Sequence, residues 1–185
     1  MSRVNGNALT HRHLDANSRV GVHYRTRNDL PEATRIGVIG ELNQSLGDAI
    51  DLQCQCKHAQ WNVKGASFIA LHQLFGALHD DIARYVEMMA ERVVQLGGIA
   101  HGTAVLVVAC SSLPEYPLLL TSGAQHVDAL SDALGACGRS ARRRIDVLSE
   151  LGDTVSAAII ADISHGIDRC LWLVEAHQQD GDAPW

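Results

Sequence analysis

Apolar residues recur at helical spacing along four long stretches of the chain. Ile36, Ile39, Leu42, Leu46, Ile50 and Leu52 mark the first, with the three-to-four-residue period that defines one face of an α-helix. Asn28, Asp29 and Pro31 stand ahead of it as a start signal, since capping side chains and a first-turn proline favour a helix N-terminus. This helix is predicted to run to about Asn62. Leu71, Leu74, Phe75, Leu78, Ile82, Val86 and Met89 form a second stretch, opening after Lys64-Gly65 and closing at Gly97-Gly98, a glycine stop. Ser122 is placed to cap a third helix through Val127, Leu130, Leu134 and Ile145, which Gly152 ends. Asp153 then caps a fourth, carrying Val155, Ile159, Ile160, Ile163, Ile167, Leu171 and Val174. Between the second and third lies an irregular link with a short apolar helical piece, Thr103 to Ala109, before the turn-rich Ser111 to Pro117. No strand alternation and no internal repeat stands out. The pattern predicts an all-α four-helix bundle over residues 29–178, with a short helix in the long crossover between helices 2 and 3.

Composition narrows the class. The chain has 185 residues and is 46% hydrophobic, enough for one domain with a real core. That apolar content excludes a disordered chain, and five scattered cysteines exclude a small disulfide scaffold. No apolar run is long enough to span a bilayer, and residues 1–28 lack the apolar segment of a secretory signal. A cytoplasmic protein without membrane contact is expected. The formal charge is −6, yet residues 1–28 carry Arg3, Arg12, Arg19, Arg25 and Arg27 against Asp15 alone. They read as a basic, flexible N-terminal arm on an acidic body, able to bind DNA non-specifically through phosphates; an arm with no partner fits the sequence equally. Residues 179–185 form a short C-terminal tail.

Several familiar chemistries are absent. Gly97-Gly98 lacks the spacing and context of a phosphate loop, and no serine sits in a nucleophile elbow. Cys54 and Cys56 point ~200° apart on a helix, so they read as reduced thiols and not as one metal site. The second predicted helix carries more. With His72 set at zero and ~100° per residue, His79 falls at ~−20°, Glu87 at ~60° and Glu91 at ~100°. Imidazole with carboxylate suits iron or zinc; a solvated polar stripe is the competing reading. His72 and Glu91 lie ~28 Å apart along that helix, too far to share an ion within one chain. Two antiparallel copies across a two-fold axis would bring the histidine end of one to the carboxylate end of the other.

Three runs make the chain recognisable. Lys57-His58-Ala59-Gln60-Trp61-Asn62-Val63-Lys64-Gly65, Phe68-Ile69-Ala70-Leu71-His72, and Met89-Ala90-Glu91-Arg92-Val93-Val94-Gln95-Leu96-Gly97-Gly98 closely resemble the Dps family of miniferritins, DNA-binding proteins from starved cells. The resemblance extends from about Leu30 to His177. It implies a ferritin-like bundle and a dodecameric shell with ferroxidase centres at two-fold interfaces. There Fe(II) is oxidised by hydrogen peroxide or dioxygen, and Fe(III) is mineralised inside the shell. Many members also coat DNA and protect it from oxidative damage, and nucleoid association follows for this chain. His72, Glu87 and Glu91 stand at the family's metal-site positions and are the expected catalytic ligands.

Two positions depart from the family pattern. Gln60 replaces the usual histidine before the tryptophan, and Gly76 replaces the acidic residue one turn after His72. Side chains on a helix lean toward its N-terminus, so His79 is expected to cover the space left at Gly76. His165, within an apolar run of the fourth helix, is expected to face the bundle. Together they would rebuild a histidine-rich centre, as in some cyanobacterial members. Such a donor set admits zinc beside iron. Trp61 and Trp172 are placed to intercept stray oxidising equivalents or simply to pack. His58, ~200° around the first helix from Gln60, is not expected to be a ligand, and His101, His126 and His177 are assigned surface or packing roles. The competing function is a DNA-binding shell whose centre is inactive or zinc-occupied.

Overall fold

The structure, a computed structural model, describes residues 24–179. The body of the basic arm and the last six residues lie outside the described residues. Five helices follow in order: α1 Glu32–Asn62, α2 Phe68–Gln95, α3 Ala104–Cys110, α4 Gly123–Glu150 and α5 Thr154–Glu175. No strand occurs among the described residues. α1 packs on α2 and α4 on α5, and the two pairs join through α1 with α4 and α2 with α5. The link from α2 to α4 crosses the bundle and lays α3 against α1. The predicted all-α bundle with a short crossover helix is the observed architecture.

Helix ends follow the local chemistry. Ser122 caps α4 with a capping box: its hydroxyl accepts from Gln125 N–H, and the Gln125 side chain returns to the backbone of Ser122. The Asp153 carboxylate accepts from Ser156 N–H at 3.0 Å and starts α5. α2 ends where Gly97 adopts φ +85°, and Gly98 N–H reaches back to Val93 O at 3.0 Å, the left-handed stop that glycine alone adopts without strain. The start of α1 differs from expectation. Pro31 is the N-cap and provides no side-chain cap; Asn28 instead accepts from Leu30 N–H at 3.0 Å in the turn before it. Ahead of α1, Tyr24 N–H donates to Gly97 O at 3.1 Å.

The core is built from the predicted positions. Ile39, Leu42, Leu46, Leu52, Phe75, Leu78, Ile82, Met89, Leu130, Leu134, Ile160 and Ile167 are all buried. Polar residues also point inward from α1, and these strap the crossover down. Asn43 donates to Ile99 O and accepts from His101 N–H. Asp48 accepts from Ser112 N–H at 2.8 Å and Ser112 Oγ at 3.0 Å, and Gln55 donates to Pro114 O at 3.1 Å. A helix enclosed on most sides needs such partners, because an unpaired buried polar group is costly.

One buried ion pair locks α2 to the α4–α5 turn. Both oxygens of Asp153 accept from Arg92 Nη2, at 2.9 and 3.0 Å, and Arg92 Nε donates to Ser156 Oγ at 2.9 Å. Burial pushes the Asp153 carboxyl up, but the Ser156 hydrogen bonds and Arg92 together hold it below its usual value. The pair therefore contributes stability above the ordinary carboxylate pKa of about 3.9, lost as pH falls through the lower native value. Asp153→Ala removes the cap and strands a buried guanidinium. The expected cost is about 3–5 kcal/mol in chemical denaturation at neutral pH, shrinking as the pH is brought to the acid range where Asp153 protonates.

Candidate metal-binding face

The end of α1 builds the first element of the site. The last carbonyls of a helix have no intrahelical donor, and α1 stops at Asn62 before Gly65 turns the chain at φ +103°. Ala59 O accepts from Val63 N–H. The next carbonyl, Gln60 O, takes the ring nitrogen Nδ1 of His72 at 2.9 Å. A carbonyl accepts only, so Nδ1 carries a proton, and in the neutral ring Nε2 keeps its lone pair. This is the arrangement by which proteins orient an imidazole for a metal. Nε2 has no hydrogen bond among the described residues, and the Phe68 ring packs beside the imidazole at 5.3 Å between centroids. The α1 C-terminus also carries the negative end of the helix dipole, which favours a cation there.

The Gln60 side chain accounts for Gly76. A Cβ at residue 76 would lie 2.5 Å from Gln60 Nε2, so the amide fills the volume that a side chain would take. Its Oε1 accepts from Lys57 Nζ at 2.8 Å, and the Lys57 ammonium also sits 5.8 Å from the Trp61 ring centre. The space expected for His79 thus belongs to Gln60 and Lys57.

His79 looks elsewhere. Its Nε2 faces Gln53 Nε2 at 3.3 Å and its Nδ1 faces Asp80 Oδ1 at 3.0 Å. Gln53 lies two turns before Gln60 on α1, ~10 Å along the axis. Two imidazoles on one ion need their nitrogens within about 4 Å, given metal–nitrogen distances of ~2.0–2.1 Å. His79 and His72 are held too far apart for that. His165 does not face the bundle either: it is exposed, between buried Ser164 and Gly166. The apolar run around it is real, but its own position falls on the outward side of α5. Within one chain the histidine-rich centre is therefore not assembled.

Glu87 and Glu91 are exposed on the far half of α2. With Ala90, Val94, Gln95 and Ala100 they line an open depression of about 430 Å³. Arg92, the next residue, is buried by its lock on Asp153; a turn of ~100° per residue then leaves Glu91 directed outward. Among the described residues no three His, Cys, Asp or Glu side chains lie together as one metal ion would require, in keeping with the ~28 Å that separates His72 from Glu91 along α2. What the sequence could not supply is the role of Gln60 O, because every residue offers a backbone carbonyl.

The other candidates are accounted for by packing. Cys56, Cys137 and Cys170 are buried and free. Burial pushes their thiols up, to about 12 for Cys137 and about 11 for Cys170, so they stay protonated and poor as ligands. Trp61 and Trp172 are 70% and 61% exposed, so neither packs in the core of the single chain. No described helix is long and apolar enough to cross a membrane.

Known proteins give this geometry its context. The ferritin-like domain family matches residues 39–183. The DNA protection during starvation protein of Agrobacterium fabrum is 40% identical over 157 residues, covering 85% of this chain and 97% of that one. The DNA protection during starvation protein 2 of Deinococcus radiodurans is 28% identical over 75% of this chain and 57% of its own length. Among solved structures, DpsC from Streptomyces coelicolor superposes with a TM-score of 0.83 over 89% of this chain and 96% of that one at 23% identity, a likeness of fold. With the bundle, the crossover helix and a near full-length match at 40% identity to a curated relative in agreement, the chain belongs to the Dps family of ferritin-like proteins.

Proposed function

We propose that the protein is a miniferritin that takes up Fe(II), oxidises it at a site shared between two copies and stores the product as Fe(III) inside a dodecameric shell. The observation that carries this reading is His72, whose Nδ1 is spent on Gln60 O while Nε2 is left bare beside the negative end of α1. Fe(II) enters as substrate. His72 supplies nitrogen, and Glu91 with Glu87 of a second copy supply the oxygens. Carboxylates stabilise the ferric product by charge, and release into the shell follows. Hydrogen peroxide or dioxygen takes the electrons. Lys57 and Gln60 occupy the ground where a second ion would need donors, so one tightly held ion per site is expected. A single imidazole with carboxylates also suits iron better than the histidine-rich set that favoured zinc.

His72→Ala and Glu91→Gln are each expected to slow Fe(II) oxidation at least 10-fold, on the order of the loss from disturbing a metal site, with the assembly intact by light scattering. Unchanged rates in both variants would remove the reading. Anaerobic Fe(II) titration should give one tight site per chain in the natural sequence. The double variant Gln60→His/Gly76→Asp replaces the amide by imidazole and fills the space at 76 with a carboxylate, and a second equivalent should then bind.

A DNA-binding role through the arginine-rich arm is the second part of the proposal, supported by the five arginines of residues 1–28. Each neutralised phosphate steepens the salt dependence by ~0.9 in log K against log salt. Removing residues 1–23, which hold Arg3, Arg12 and Arg19, should flatten that slope by about 3 per engaged arm in gel-retardation titrations. Iron oxidation should be unaffected.

A further inference from the structure

Three rings meet away from the metal-binding face, where α1, the crossover and α4 converge. Tyr116 is 9% exposed, and its Oη lies 2.6 Å from Nδ1 of His126. The two rings are inclined by only 26°. His126 is 2% exposed, and its Nε2 has no hydrogen-bond partner. The His58 ring stands edge-on to Tyr116, with centroids 5.1 Å apart. A packing role explains the burial of these groups; it does not explain a short phenol–imidazole hydrogen bond backed by an orphaned nitrogen, and a buried polar atom left unpaired calls for a reason.

The protonation states follow from the surroundings. Burial, and then the neighbouring His58, hold His126 below the usual imidazole range, so the ring is neutral near pH 7. Burial, with Cys56 acting in the same sense, pushes the Tyr116 phenol up, so it keeps its proton. Tyr116 Oη has no other acceptor among the described residues, so its hydroxyl donates to Nδ1, and His126 carries its own proton on Nε2. Removing an electron alone from this phenol would leave the positive charge on the ring, a very strong acid. Moving the proton to Nδ1 in the same step leaves a neutral oxygen radical and shifts that charge to the more basic imidazole.

We infer that Tyr116 and His126 form a one-electron reservoir for the iron chemistry. A strong one-electron oxidant of the hydroxyl-radical or ferryl class, formed where Fe(II) meets peroxide, takes an electron from Tyr116. The O–H bond breaks and its proton passes to His126 Nδ1, giving a tyrosyl radical and an imidazolium. A further Fe(II) ion returns the electron and becomes Fe(III), and the proton goes back to the phenolate oxygen. The orphaned Nε2 gives the cycle its direction. The imidazolium would hold its charge with one N–H unpaired in the core, so the oxidised pair lies high in energy and is readily re-reduced. Along α1, His58 precedes Gln60 by two residues, ~200° around the helix. The side chains of His58 and Gln60 therefore leave the same turn of α1 in opposite directions, the first toward Tyr116 and the second toward Gly76. The use of the pair with iron rests on the function proposed above; its ability to release an electron and a proton together does not.

The chain has only three tyrosines, Tyr24, Tyr85 and Tyr116, which makes the assignment tractable. Iron-free, assembled protein is photo-oxidised with ruthenium tris-bipyridyl and a sacrificial acceptor, then frozen for electron paramagnetic resonance. A tyrosyl signal is expected in the natural protein and in Tyr24→Phe and Tyr85→Phe. It should vanish in Tyr116→Phe, which deletes one hydroxyl and should leave the thermal unfolding midpoint near its natural value. His126→Gln, with folding checked by circular dichroism, should lower the yield and abolish its solvent-deuterium dependence. In a second arm, Fe(II) and hydrogen peroxide replace the light. The same signal should appear and then decay on adding more Fe(II). A signal that survives Tyr116→Phe, or that resides on Tyr24, Tyr85 or a tryptophan, overturns the assignment. A light-driven Tyr116 radical with none from Fe(II) and peroxide overturns the reservoir role. The His72→Ala oxidation rate, measured separately, shows whether the metal site itself has failed.

Discussion

The site depends on where α1 ends. A helix must leave its last carbonyls without internal donors, and a chain that turns at Gly65 leaves Gln60 O facing the start of α2. His72 satisfies that carbonyl, and in doing so its ring is fixed in tautomer and direction. One backbone requirement therefore sets up a metal-ready nitrogen without any dedicated orienting carboxylate. The same residue closes the neighbouring ground with its side chain, against Gly76 on one side and Lys57 on the other. Lengthening α1 by a turn would bury this carbonyl in an intrahelical bond and release the imidazole.

The opposite end of α2 is held by a different device. Arg92 is anchored to Asp153 and Ser156, so the last turns of α2 cannot rotate freely. Glu91 and Glu87 are consequently offered outward in a fixed register. Under the proposed function, the two ends of one helix, each fixed by the element next to it, would provide complementary halves of a binding site that a single chain cannot close. Assembly is thus part of the chemistry proposed here, and the exposed donors are the surfaces that association would cover.

Much of this was legible in the sequence because it depends on local chemistry. Ser122, Asp153, Gly97 and Gly152 mark helix ends through caps and left-handed turns, and the apolar period placed the core. The inward polar residues Asn43, Asp48 and Gln55 were not legible, since they answer to a crossover some sixty residues away in sequence. The placements of His79 and His165 failed for a related reason. A helical wheel gives the angle of a residue on its own helix, but not which side of that helix its neighbours cover. Gln53 takes up His79, and His165 falls on the uncovered side of α5. The loss of two family ligand positions was visible; their replacement by an interlocked Gln60, Gly76 and Lys57 was not, because it needs the distance between α1 and α2.

The central claim is that a copy's His72 and another copy's Glu91 hold one iron ion between them. A crystal structure of the assembled protein, soaked anaerobically in Fe(II) with diffraction recorded on both sides of the iron absorption edge, tests it most directly. The account predicts anomalous density between His72 Nε2 and a neighbouring copy's Glu91, with His79 still on Gln53 and His165 away from the metal. Iron bound by His79 or His165, or neighbouring α2 helices that never bring these two residues together, would contradict it.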